Sequence, residues 1–143
     1  MKEQYLNVTQ EAGRNFVMQK IDGEVVMLNL LRFKKIADYS DFPNLKTENS
    51  ISGKAAYQKY IEHTLPYLKK SGGEILFMGE CNNFLIGPPD ESWDAILLIR
   101  QKSVNSFLAF ESNEEYKRGI GHRTAALEDS RLLPIVETFT NSK

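Results

Sequence analysis

Apolar residues crowd into one run, Glu24-Val-Val-Met-Leu-Asn-Leu-Leu-Arg-Phe33, which only Asn29 and Arg32 interrupt after the opening Glu24. A two-residue period sets Val25, Met27, Asn29, Leu31 and Phe33 on one face and Val26, Leu28, Leu30 and Arg32 on the other. Both faces are apolar, which predicts a strand at the centre of a sheet, covered on both sides. A buried turn of helix is the alternative, weakened by Gly23 directly before so short a run. An unpaired buried Asn costs about 1–3 kcal/mol, and an uncompensated guanidinium more. Asn29 and Arg32 must therefore each find a partner or a cavity.

The pattern changes period along the chain. Thr9 to Lys20 reads as a short helix capped by Thr9, with Phe16 and Val17 on a thin apolar stripe. Lys34 to Ser52 lacks strong periodicity and reads as a surface loop or a lid. From Gly53 to Ser71, Tyr57, Tyr60, Ile61, Thr64, Leu65 and Leu68 follow helical spacing, and Gly72-Gly73 supplies the stop. Pro66 is expected to kink that helix, and His63 to face solvent. Glu74 to Ile86 and Trp93 to Arg100 read as strands joined by the Gly87–Ser92 turn, hence an antiparallel hairpin. In the first of these, Ile75, Phe77, Gly79 and Cys81 share a face, and Gly79 signals a bulge or a close approach. In the second, Trp93, Ala95, Leu97 and Ile99 share a face. Ser103 caps a helix to Phe110, Ser112-Asn-Glu-Glu115 fits a capping box, His122 to Asp129 is helical, and Leu132 to Phe139 is the last strand.

The order is a helix followed by β-α-β-β-α-β. This predicts an α+β, ferredoxin-like fold: a four-stranded antiparallel sheet with helices on one face. Residues 1–22 form an N-terminal helical extension in this reading, and residues 23–143 a single domain. Strands apolar on both sides leave the second sheet face without cover, and a large bare apolar face is not tolerated on a soluble monomer. A two-fold homodimer, sheet against sheet, is the expected remedy.

Composition narrows the function classes. With 18 basic and 19 acidic residues and a net charge of −1, nothing points to nucleic acid or an anionic membrane. No apolar run approaches the ~20 residues of a membrane span, and the N-terminus lacks the apolar core of a signal peptide, so a cytoplasmic location is expected. One cysteine, Cys81, excludes an internal disulfide and reads as an inert thiol. Two histidines and one cysteine without ligand spacing give no metal site, and no cofactor motif appears.

Val26-Met-Leu-Asn-Leu-Leu-Arg-Phe33, Gly72-Gly73, Ile86-Gly87, Trp93-Asp94, Phe107-Leu108 and His122-Arg-Thr-Ala-Ala-Leu-Glu-Asp-Ser-Arg-Leu132 together resemble the domain of unknown function 1330 family. That family belongs to the dimeric α/β-barrel superfamily. The resemblance runs from about Gly23 to Leu133 and implies a ferredoxin-like fold and a homodimer, but no particular activity. Family members tend to carry Tyr-Pro-Ser where this chain has Gln101-Lys-Ser103, which alters the rim of any site there. The superfamily mixes cofactor-independent monooxygenases, isomerases, haem-degrading enzymes and stress-responsive proteins, so fold alone does not assign a reaction.

The candidate site follows from residue type. His122 and Arg32 are the candidate catalytic pair: His122 as an acid or base near neutral pH, Arg32 or Arg123 as the bidentate holder of a carboxylate. Asn29, Tyr57, Tyr60, Trp93 and Arg123 are the candidate ligand-binding residues. Tyr57 and Tyr60 either line a pocket with their hydroxyls or pack in the core. Asp129 with Arg131 or Arg123 reads equally as a structural ion pair. Two functions fit: a cofactor-independent oxygenase or isomerase acting on an aromatic or carboxylated metabolite, or a non-catalytic dimeric module that binds a small molecule or responds to stress. Asn29, Trp93 and His122 also match in residue type the set used by the haem-degrading relatives.

Overall fold

The long apolar run forms strand β1 (Val25–Phe33), in a computed structural model that describes residues 3–139. It pairs antiparallel with β3 (Ala95–Gln101) on one side and β4 (Leu127–Ile135) on the other. β2 (Glu74–Glu80) extends the sheet beyond β3. The resulting order β2-β3-β1-β4, antiparallel throughout, is the ferredoxin-like arrangement.

Helices cover one side of this sheet. The long helix α2 (Gly53–Lys70) brings Ala56, Tyr57, Tyr60, Ile61 and Leu68 against Leu31, Leu97 and Leu127. Its first residue is squeezed: a Cβ on Gly53 would collide with the backbone carbonyls of Lys34 and Ala126. Ser52 caps it by accepting from Ala55 N at 3.0 Å, and the helix runs on through Pro66 to Lys70. Helix α1 (Gln10–Met18), capped by Thr9, sets Phe16 against Val25, Met27 and Phe107, with the Phe16 and Phe107 rings edge-on at 5.9 Å. Helices α3 (Val104–Glu111), α4 (Glu114–Lys117) and α5 (Ile120–Ala126) complete the layer.

β1 alternates as its period requires. Val25, Met27 and Leu31 are buried under the helices, while Val26, Leu28 and Leu30 are only half-buried on the other side. Among the described residues, no helix covers that second face. Leu76, Phe77, Leu133 and Ile135 stand exposed on or beside it. Among the described residues, no helix is long and apolar enough to cross a membrane.

Several boundaries differ from the sequence reading. The helix expected over His122–Asp129 stops at Ala126, because β1 offers its free edge to Phe33↔Leu127 and Arg32↔Asp129 pairing. The ladder ends at Val26↔Ile135, where β1 itself begins, so the last strand does not reach Phe139. β2 stops at Glu80 rather than Ile86, and beyond it the hairpin continues through Cys81 N, which donates to Asp94 O at 3.0 Å, and the Asn83↔Ser92 bridge. The bulge in β2 falls between Ile75 and Phe77, and it moves Phe77 and Gly79 to the face opposite Ile75. Gly79 lies under the Phe77 ring, which a Cβ would meet at 2.8 Å. Asn113 rather than Ser112 caps α4, accepting from Glu115 N at 2.8 Å and Tyr116 N at 3.1 Å. The Lys34–Ser52 connection is pinned rather than loose: Ala37 N donates to Ile51 O, Asp38 N donates to Ala125 O, and Tyr39 is buried. His63 is half-buried, its ring on Gly119 and Nε2 2.8 Å from Glu115 O.

Candidate functional site

Arg32 lies on the open face at the end of β1. Its Nε and Nη2 donate to Ser92 O at 3.1 and 2.8 Å, and Nη1 reaches Asp129 Oδ2 at 3.4 Å. Trp93, expected with Ala95 and Leu97, falls on the opposite side because the strand begins only at Ala95. Its ring is flanked by guanidiniums, Arg32 at 4.6 Å and Arg131 at 5.0 Å from the centroid, and Nε1 donates to Glu91 at 3.0 Å. Asp129 anchors this group, accepting from Arg131, from Ser130 N and from Tyr5 N, each at 2.8 Å. Burial alone would raise its pKa, but the Tyr5 N–H, Arg131 and Ser130 N–H together hold it below the usual carboxylate value. The expected Asp129–Arg131 ion pair forms within β4, and Arg32–Asp129 adds a second one between β1 and β4.

Asn29 faces the helices and is satisfied by the strands themselves, its Nδ2 donating to Met27 O at 3.3 Å and Leu97 O at 3.2 Å. Tyr60 is a core residue whose hydroxyl meets that of Tyr116 at 2.7 Å. Burial, then the neighbouring phenol, pushes Tyr60 well above its ordinary value; burial also raises Tyr57 and Tyr116. Arg123 acts on all three as a nearby cation, but its own bonds go to Leu6 O at 2.7 Å and Ser130 Oγ at 3.4 Å. It ties the N-terminal segment to β4.

His122 sits on α5, its Nδ1 2.7 Å from the Tyr39 hydroxyl and the two rings edge-on. Burial, then Lys59 and His63, lowers its pKa and favours the neutral ring. The pair staples the 34–52 connection to α5. His122 and Arg32 thus lie on opposite sides of the sheet and do not converge. Asn29, Trp93 and His122 are likewise separate, each already committed to a protein partner, and do not form a haem-binding set. Among the described residues, no group of three or more His, Cys, Asp or Glu side chains could hold a metal.

The structure does form a cleft, elsewhere. A cavity of about 780 Å³ opens between the first turns of α2 and the ends of β2 and β3. Phe33, Tyr57, Met78 and Ala95 line it, with Lys54, Glu80 and Asp94 among its polar residues. Lys54 pairs with Glu80, whose pKa that contact lowers. Asp94 is held by Phe33 N, which donates to Oδ2 at 2.8 Å. Cys81 also lines the cleft; burial, then Asp94, pushes its thiol up, away from the reactive thiolate. Of the candidate catalytic and ligand-binding residues chosen from the sequence, only Tyr57 lines this cavity. Lys54 was legible only as the residue after Gly53 in the first turn of a helix.

Comparison with known proteins agrees with the fold. The chain is similar to the RPA0582 protein of unknown function from Rhodopseudomonas palustris, at 30% identity over 96% of this chain and 100% of that one, with a TM-score of 0.84. A crystal structure of methylated RPA0582 gives 29% identity, coverage of 97% and 98%, and the same TM-score of 0.84. A looser likeness is to a dimeric protein of unknown function and ferredoxin-like fold from Bacteroides fragilis, at 11% identity, 78% and 94% coverage and a TM-score of 0.47. No curated protein matches. The domain of unknown function (DUF1330) profile matches residues 46–139, from the end of the pinned connection through α2 and all of β4, and the chain is a member of that family.

Proposed function

We propose that the protein is a homodimeric small-molecule-binding module, with the α2–sheet cleft as its ligand site. The observation that carries the reading is the cleft itself: about 780 Å³, apolar on Phe33, Tyr57 and Met78, with one cation, Lys54, among its lining residues. Tyr57, 2% exposed and packed on Phe33 with the rings 5.6 Å apart, gives the cleft a fixed aromatic wall. The ligand that fits is a flat apolar body bearing a carboxylate, which would exchange Glu80 for itself at Lys54. Binding is favoured over turnover by the commitments of the titratable groups. His122 is bonded to Tyr39 away from the cleft, and the Cys81 thiol is held protonated.

The dimer is supported by the open face. Val26, Leu28, Leu30, Ile96 and Leu98 form a half-buried apolar surface flanked by the exposed Phe77, Leu133 and Ile135. A contiguous area of that kind is an interface on a soluble chain.

The test is a thermal-shift screen with benzoate, phenylacetate and salicylate, each mixture analysed afterwards for product. A rise in Tm with the ligand recovered unchanged supports the reading. Conversion of the ligand would replace it with an enzyme, and no shift with any aromatic carboxylate would remove the cleft from consideration. Sedimentation at micromolar concentration tests the dimer separately.

A further inference from the structure

Between β2 and β3 the chain projects as an arm with a bare tip. Phe84 is 41% exposed, while Leu85 and Ile86 are 100% and 93% exposed, more than any other large apolar side chain among the described residues. The arm is built rather than loose. The Asn83↔Ser92 bridge ties its base, and Phe84 lies so close to Gly87 that a Cβ there would collide with its ring. Pro88 and Pro89 fix the backbone behind the tip. Aliphatic side chains held in water by a stiffened segment mark a contact surface.

At the root of the arm, the open sheet face carries an apolar pocket of about 210 Å³ lined by Leu30, Trp93, Ile96 and Phe84, with Cys81 also on its wall. Phe84 of the arm is itself a wall of this pocket, and the Leu85–Ile86 tip beyond it stands in water rather than in the pocket. We infer that in the homodimer the Leu85–Ile86 tip of each copy enters the Leu30–Trp93–Ile96 pocket of the other, so that each pocket is completed only by the partner. This rests on the pairing of open faces proposed above. A two-fold interface must be self-complementary. Tip and pocket lie at the same end of the sheet, so a two-fold axis along the strands matches both at once. Beside the pocket two guanidiniums, Arg32 and Arg131, share the single Asp129 carboxylate, which leaves an excess of positive charge there, while Glu91 at the foot of the arm is held on Trp93 Nε1 of its own chain.

Cys81 makes the exchange testable in the full chain. A Leu85→Cys variant is treated with oxidised glutathione, which takes up the two electrons and two protons that each new disulfide releases. The expected product is a covalent dimer on a non-reducing gel, absent from the wild type and from the Leu85→Cys, Cys81→Ser double variant. A protein that sediments as a dimer but gives no covalent band, or a band that survives Cys81→Ser, overturns the exchange and leaves the face pairing standing. A wild-type chain that sediments as a monomer overturns both. In a second arm, Leu85→Ser with Ile86→Ser alters side chains already in water and so spares the fold. It is expected to raise the dimer dissociation constant on the order of 100-fold, and an unchanged constant also overturns the exchange.

Discussion

The two faces of the sheet are made of similar side chains and have different fates. On β1, Val25, Met27 and Leu31 are sealed by the chain's own helices, at 0–2% exposure, while Val26, Leu28 and Leu30 one residue away are not. Side-chain chemistry does not distinguish them; what does is the supply of helices, which all pack on one side. The difference teaches that apolar content marks a surface for burial without saying what buries it. One face holds the fold together, and the other is available to a second molecule.

The comparison breaks most visibly by truncating adjacent leucines of β3. Leu97, 1% exposed among α2 and β1 side chains, is expected to cost about 2–5 kcal/mol when changed to Ala. Leu98→Ala, on the open side, is expected to leave the unfolding of the isolated chain nearly unchanged and to weaken self-association instead. Urea unfolding across a dilution series separates them: the Leu97→Ala loss is independent of protein concentration, whereas any Leu98→Ala loss disappears on dilution. Equal effects would mean that the faces are equivalent.

Asp129 sharpens the contrast at the edge where the faces meet. It is buried yet bonded to groups on the open side. Asp129→Ala strands the Tyr5 and Ser130 N–H groups and is expected to cost about 2–3 kcal/mol. The sign of its pH dependence follows from its lowered pKa. The native carboxylate binds protons more weakly than the unfolded one, so its stabilisation is full above about pH 4 and fades as pH falls through the native value. Urea midpoints measured on acidification should show a slope in the wild type that Asp129→Asn reduces.

The Tyr39–His122 staple is a smaller effect on the covered side. Tyr39→Phe removes one hydrogen bond, worth about 1 kcal/mol. His122 has a lowered native pKa, so its protonation favours the unfolded chain; its contribution is full above about pH 6.5 and is lost below it. NMR titration of the ring should give a midpoint below that of a free histidine, and one at or above it would contradict the buried neutral ring.

What was legible in the sequence was set by local pattern. The β1 alternation, the α2 stripe and the element order all come from neighbours along the chain, and they yield the fold and the bare face. Long-range pairing was not legible. Leu127–Asp129 has the look of a helix end and becomes a strand because β1 has an edge to fill. Phe84-Leu85-Ile86 has the look of a strand, but among the described residues it has no ladder partner beyond Asn83↔Ser92. The bulge in β2, between Ile75 and Phe77 rather than at Gly79, reversed the faces downstream of it, an event with no signature in the sequence. Among candidate site residues, chemical type picked out Arg32, His122 and Arg123, which proved to be tied to backbone, to Tyr39 and to the N-terminal segment. The cleft depends on where α2 begins over β2, which no residue type encodes.

Lys54 is the finest probe of that cleft. Its pair with Glu80 is exposed on both sides, and such contacts contribute little to stability. Lys54→Ala should therefore leave the urea midpoint unmoved. If the cleft binds a carboxylate through Lys54, the same change should abolish most of the thermal shift that an aromatic carboxylate produces, while Arg32→Ala on the far side of the sheet leaves that shift intact. The reverse pattern, a shift that depends on Arg32 and ignores Lys54, would move the ligand to the open face and make the uncovered side, not the helix-roofed one, the binding side of the protein.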